Sequence, residues 1–178
     1  MKSVERWIGH KVLIALLATA TAAASVAMAP GMAKAQVAYG SYVGIGAAAG
    51  LTKDATTGQG GSLQGVLAGR YRFLTMPISL RAQAFLFGND FAVVPTVSYD
   101  VPLTWNMDAY LGAGISLPSG NSPTVVGNKT AFVLQPGIDY MFPNSNLVAF
   151  GNAIFAFDAY RGSGNMAVSV QGGMGIQF

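Results

Sequence analysis

From Gly40 to the C-terminus, apolar and polar residues alternate with period two in eight separate runs. In residues 91–101, Phe91, Val93, Pro95, Val97, Tyr99 and Val101 oppose Ala92, Val94, Thr96, Ser98 and Asp100. In residues 105–117, Trp105, Met107, Ala109, Leu111, Ala113, Ile115 and Leu117 oppose Asn106, Asp108, Tyr110, Gly112, Gly114 and Ser116. The last run sets Met166, Val168, Val170, Gly172, Met174, Ile176 and Phe178 against small or amide residues. Period two means strands, because successive side chains of a pleated chain point to opposite faces. The eight expected strands are 40–51, 62–73, 78–88, 91–101, 105–117, 130–142, 147–158 and 165–178.

The connections alternate in character. Residues 74–77, 102–104 and 143–146 are short and each holds a proline, whereas 52–61 and 118–129 are long and polar. Residues 159–164 and the compact Gly88-Asn89-Asp90 turn fall on the long-loop side. An even number of strands puts both ends of the set on the short-turn side. Two places strain the pattern. Pro95 and Pro136 lie inside strands although a closed sheet needs every amide donor, which predicts bulges or frayed pairing. Phe150 and Ile154 share a face with Asn152, which predicts a bulge or an aromatic plug.

Ahead of the strands, Lys2, Arg6 and Lys11 precede an apolar, alanine-rich run from Val12 to Ala29, and Ala33-Lys34-Ala35 offers a small-x-small cleavage site. Residues 1–35 therefore read as a cleavable signal peptide, and 36–178 as one domain. Four of the ten Lys and Arg and one of the seven acids lie before Gln36. The remaining 143 residues hold six of each sign, net zero, so the basic balance of the whole chain is no sign of nucleic-acid binding. They also lack His, Cys and Glu. That removes disulfides, Ser-His chemistry and the commonest metal ligand, and no cofactor, metal or catalytic residue is expected. Twelve charges in 143 residues is about a third of the share in a soluble domain.

Periodicity does not say which face is outside, since a soluble lipocalin-like barrel shows the same alternation reversed. The polar face is mostly Gly, Ala, Ser and Asn, too small and uncharged for a water-facing surface. Aromatic placement agrees. Tyr71, Phe73, Tyr99, Trp105, Tyr140, Phe142 and Phe178 stand at the short-turn ends of the apolar face, and Phe91, Phe132, Phe155 and Phe157 near the other ends. Phe91 to Tyr99 is roughly 26 Å along a strand, or some 20 Å along the normal at about 40° of tilt, near the ~25 Å apolar band of a membrane barrel. The expected fold is an all-β, eight-stranded antiparallel up-and-down transmembrane barrel.

With these strands, turns and the terminal Phe178, the chain resembles the small eight-stranded outer-membrane β-barrel family, which includes the OmpA transmembrane domain, OmpX and the opacity-like proteins. The resemblance covers about residues 38–178 and rests on architecture and the C-terminal pattern. It implies an outer-membrane location and outer-membrane lipid as the surrounding partner. It also implies assembly by the outer-membrane insertion machinery, reading Val170, Gly172, Met174, Ile176 and Phe178. It names no surface partner.

One constellation carries chemistry. Arg70, Arg72, Arg81, Asp100, Asp108 and Asp139 all fall on the polar face, in the half nearer the short turns. A structural network closing the lumen is the first reading and a selectivity constriction for small ions the second. A paired-carboxylate catalyst has no nucleophile or His beside it. Gly44-Ile45-Gly46 lacks the helix and acid of a dinucleotide site, and the Asn128-Lys129-Thr130 sequon is read as chance. The expected role is structural or surface-interacting and non-enzymatic, with the lumen largely plugged. A narrow pore is the alternative, and a soluble periplasmic barrel holding an apolar ligand the second.

Overall fold

The computed structural model describes residues 40–178 apart from 59, 61, 62 and 89, so the expected signal peptide and its cleavage after Ala35 lie outside the described residues. The described chain forms β1 (Tyr42–Gly50), β2 (Leu63–Arg72), β3 (Ile78–Leu86), β4 (Ala92–Thr104), β5 (Met107–Pro118), β6 (Ala131–Met141), β7 (Leu147–Phe157) and β8 (Ala167–Gln177). Each strand pairs antiparallel with the next, and β8 returns to β1, closing the barrel. Pairing runs from Tyr42 through Arg70, Arg81, Thr96, Gly114, Val133 and Ala156 to Ala167. Ala167 lies two residues beyond the Gly50↔Ser169 pair, opposite position 52 of the first strand. That stagger of ten residues tilts the strands by roughly 40°, as closing eight strands demands.

The strands match the periodicity, with two departures at their ends. Residues 102–104, expected as a turn, belong to β4: Pro102 pairs with Asp108, and the register shifts before Thr104 pairs with Met107. The bulge takes up the proline, leaving Trp105-Asn106 as the turn and moving Trp105 out of the fifth strand. At the other end Phe87 leaves the ladder with φ 64° and lies 90% exposed, its ring against the outer side of Gly65.

Both mid-strand prolines are accommodated by lapses in pairing, without bulges. Pro95 stays paired to Ala82, but Val94 and Pro95 have no partner in β5, and the β4–β5 register is the same on either side of the gap. Pro136 stays paired to Leu111, while Gln135 and Pro136 have none in β7. Each proline turns its missing donor to one side only.

At Phe150 the plug, not a bulge, is what forms. The β7–β8 register is unbroken, and Phe150 points into the barrel and stacks on Tyr42 with ring centroids 5.8 Å apart. It fits because the β1–β8 seam is glycine where it faces inward. Gly44 pairs with Gly175 and Gly46 with Gly173. A methyl on Gly44 would sit 2.9 Å from the Phe150 ring and 2.7 Å from the Met174 carbonyl oxygen. These glycines let the two strands curve in closely, and the aromatic rings occupy the space.

Candidate functional site in the barrel lumen

The lumen is stratified. At the short-turn end the six charged residues meet in one network. Arg70 reaches Asp100 (2.9 Å), Asp108 (3.0 Å) and Asp139 (2.9 Å). Arg81 reaches Asp100 (3.2 Å) and Asp139 (2.8 Å), and Arg72 reaches Asp108 (2.6 Å). The register brings them level: five adjacent strands each contribute inward positions at or one step in from their short-turn ends. With about 3.3 Å of rise per residue and about 40° of tilt, the six Cα atoms span only about 8 Å along the axis.

Neutral partners complete the network. Tyr42 donates to Asp139 at 3.0 Å, Ser98 donates to Asp100 at 2.9 Å, and Ser79 also bonds Asp100. Arg70 Nε donates to Ser79 (3.2 Å) and Arg81 Nε to Ser98 (2.9 Å), while the Arg81 guanidinium carbon sits over the Tyr110 ring, 3.3 Å from its centre. Buried ion pairs persist only when desolvation is offset by several good contacts at each charge. Here each of Asp100 and Asp139 meets both Arg70 and Arg81. Only Arg72 keeps part of its side chain, about a fifth, in contact with solvent.

About 10 Å further along the axis lies a layer of amides. Gln135 accepts from Thr96 (2.7 Å) and donates to Asn152 (3.1 Å). Gln171 donates to Gln83 (2.7 Å) and also bonds Asn152. Beyond it come Phe85, Val94, Val133 and Ile154, all buried. The long β5–β6 loop then covers the mouth. Its tip is a tight turn closed by Thr124 and Gly127, whose amides donate to each other's carbonyls at 2.9 and 3.1 Å. Val125 and Val126 are fully buried there. The Val125 amide donates to Gln64 of β2 at 3.0 Å, and Gln64 donates to the Asp90 carbonyl at 3.1 Å.

Neighbouring loops brace the lid. Asp90 accepts from the Ser122 amide (2.7 Å), and Arg161 donates to the Asn128 carbonyl (2.9 Å) and the Asn121 side chain (2.8 Å). Lys129 pairs with Asp158 at 2.5 Å. Asn128 gives its own amide to the Asn121 carbonyl at 2.9 Å and is buried, so its sequon nitrogen is already engaged. In the β1–β2 loop the Thr56 amide donates to Asp54 at 2.9 Å and holds that carboxyl below the usual carboxylate range.

Outside, the polarity inverts. Val43, Ile45, Leu67, Leu80, Val97, Leu111, Ile115, Ile138, Val170, Met174 and Ile176 are exposed. Tyr71, Tyr99, Tyr140, Phe142 and Phe178 stand toward the short-turn end of that surface with Phe73 beside them, and Trp105 projects past it, 97% exposed. Val170, Met174, Ile176 and Phe178 form one outward row on and just after β8.

Sequence reasoning placed all six charged residues together and missed what surrounds them. The inward alternation contained Ser79, Ser98, Gln83, Gln135 and Gln171. Nothing in a polar loop signalled that Val125 and Val126 would fold back into the mouth.

A closed barrel that is apolar outside and ionic within belongs to the class that uses lipid as its solvent, since its strands pair all the way round, apart from the lapses beside the two prolines, and no edge is left. Two solved structures share the fold. One is Neisserial surface protein A: TM-score 0.51, 17% identity, 78% of this chain and 97% of that one covered. The other is the Yersinia pestis outer membrane protein Ail in a phospholipid bilayer nanodisc: TM-score 0.50, 14% identity, 78% and 98% covered. No protein-family model and no curated protein matches the chain.

Proposed function

We propose that this is an integral outer-membrane protein, exported by residues 1–35, cut after Ala35 and inserted by the outer-membrane assembly machinery through its C-terminal row. Its role is structural or surface-interacting, and its lumen is a plug and not a passage. The carrying observation is the filled lumen: an ionic layer, an amide layer, an apolar layer and the Val125–Val126 lid in succession. An interior of eight strands is just wide enough for its own side chains. The polarity argues against a soluble periplasmic barrel for an apolar ligand, which needs the reverse arrangement. The fold shared with a protein named for the surface and with one named for the outer membrane supports the location. Function then resides in the braced outer loops and in the mechanical stability of the wall.

The test is conductance in planar bilayers, on protein shown to float with outer-membrane lipid and to shift its gel mobility on boiling. The wild type is expected to give no resolved channels, and Arg81→Ala none either, because the amide layer and lid remain. Steady single-channel currents altered by Arg81→Ala would replace the plug with the ion-constriction reading.

A further inference from the structure

Phe87 faces the wrong way for its place in the chain. Along β3 the inward side chains are Ser79, Arg81, Gln83 and Phe85, and Leu86 then pairs with Gly65. One more step of the same ladder would turn Phe87 inward, across from Gln64. Instead its φ is 64°, and the ring lies outside on Gly65, where a methyl would sit 2.6 Å from it. A left-handed backbone is costly for any residue with a Cβ, and a bulky side chain there is an outlier. The ring gains little in return, since Phe87 stays 90% exposed.

The inward place that Phe87 gives up is taken by the lid. The wall is cut small around the mouth: Ala48, Ala92, Ala131, Ala156 and Ala167 are inward residues near the loop ends of their strands, and all are buried. Val125 and Val126 fill the space these alanines leave. The Val125 amide bonds Gln64, the residue an inward Phe87 would face. Two isopropyl groups are close in bulk to one benzyl group, so a close-packed mouth has room for one occupant or the other. The turn that carries Phe87 is also tied to the lid. Gly88 lies against the Gln64 amide, which donates to the Asp90 carbonyl at 3.1 Å. The Asp90 carboxylate accepts from the Ser122 amide at 2.7 Å, and Ser119 and Phe91 exchange bonds at 2.8 and 3.2 Å.

We propose that the lid and Phe87 are alternative stoppers of the barrel mouth. In the closed form the valines are seated and Phe87 is held outside in its strained conformation. When the lid lifts, Phe87 relaxes to extended backbone, adds a rung to the β2–β3 ladder opposite Gln64 and places its ring in the mouth. The strain of the closed form favours lifting, and the inward ring seals the lumen behind the departing loop. The β5–β6 loop can thus be drawn out at the surface without unsealing the barrel.

Thermolysin cuts ahead of exposed valines, so cleavage before Val125 in folded, detergent-solubilised full-length protein reads the lifted fraction of the lid. Phe87→Gly removes both the left-handed cost and the second stopper, and is expected to slow that cleavage roughly tenfold. Phe87→Ala keeps the cost and loses only the ring, and is expected to slow it by a smaller factor. Unchanged or faster cleavage in Phe87→Gly overturns the proposal. The ring itself is located with Phe87→Trp in a Trp105→Phe chain, the Trp105→Phe protein serving as the blank for Trp7. In micelles of brominated dodecyl maltoside the indole is expected to be quenched while the lid is intact. It should lose about half of that quenching once thermolysin has cut the lid, as an exchange of occupants requires. Quenching that stays the same after cutting makes Phe87 a fixed outer residue and overturns the exchange.

Discussion

The two ends of the lumen close it by opposite means. At the short-turn end, Arg70 and Arg81 are shared among Asp100, Asp108 and Asp139 across strands β2 to β6, and the seal is part of the wall. At the long-loop end the seal is two valines on a segment that can leave without unpairing a strand, held by Gln64 and by loop-to-loop bonds. An ionic seal built from five strands couples their register, because sliding any one of them strands a buried charge. An apolar seal on a loop couples no strand to another. The lower end should therefore report on global stability and the upper end on local opening.

The sharpest test of that contrast is Asp139→Ala. It leaves both buried guanidiniums short of an acceptor and Tyr42 without its own, and should cost about 3–5 kcal/mol. Denaturant unfolding in detergent micelles would show it, as would loss of the folded gel band at lower temperature. A change under 1 kcal/mol would mean that the network does not carry the wall, about what an exposed ion pair contributes.

Val126→Asp probes the other end. An unpaired carboxylate in that apolar seat should unseat the tip by about 2–4 kcal/mol, making residues 119–130 cleavable by protease while the barrel keeps its folded mobility. Global unfolding of this variant would erase the proposed difference between the two seals.

The smallest effect is a pH response outside the barrel wall. Asp54 has a depressed carboxyl pKa, so its contribution to the β1–β2 loop is present above the unfolded value and lost as pH falls through the folded one. Acidification from neutral through the carboxylate range should lower the protection of the Thr56 amide, its hydrogen-exchange rate relative to that of an unstructured amide at the same pH, because Asp54 holds it. The Asp54→Asn variant should show the lower protection already at neutral pH and little further change in it on acidification.

The Asp139 and Arg81 positions were legible from the alternation because a strand repeats every two residues: once the lipid face is chosen, every charge on the other face must meet inside a narrow tube. Phe150 was legible for the same reason as an inward aromatic, but its seat over Gly44 and Gly173 was not. That seat depends on the pairing of β1 with β8, the residues farthest apart in sequence. Trp105 was assigned to the wrong element, since a bulge after Pro102 is a local choice of register that periodicity does not encode.

The order of strands, their two faces, the sign of the polarity and the membership of the charged layer were thus determined by the chain itself, because period-two alternation and scarcity of charge are local properties. The ten-residue stagger, the level at which each inward side chain sits, the lapses beside Pro95 and Pro136 and the inward fold of Val125 and Val126 were decided only by closure. A barrel closes around all eight strands at once, and no segment carries the register of its distant neighbour.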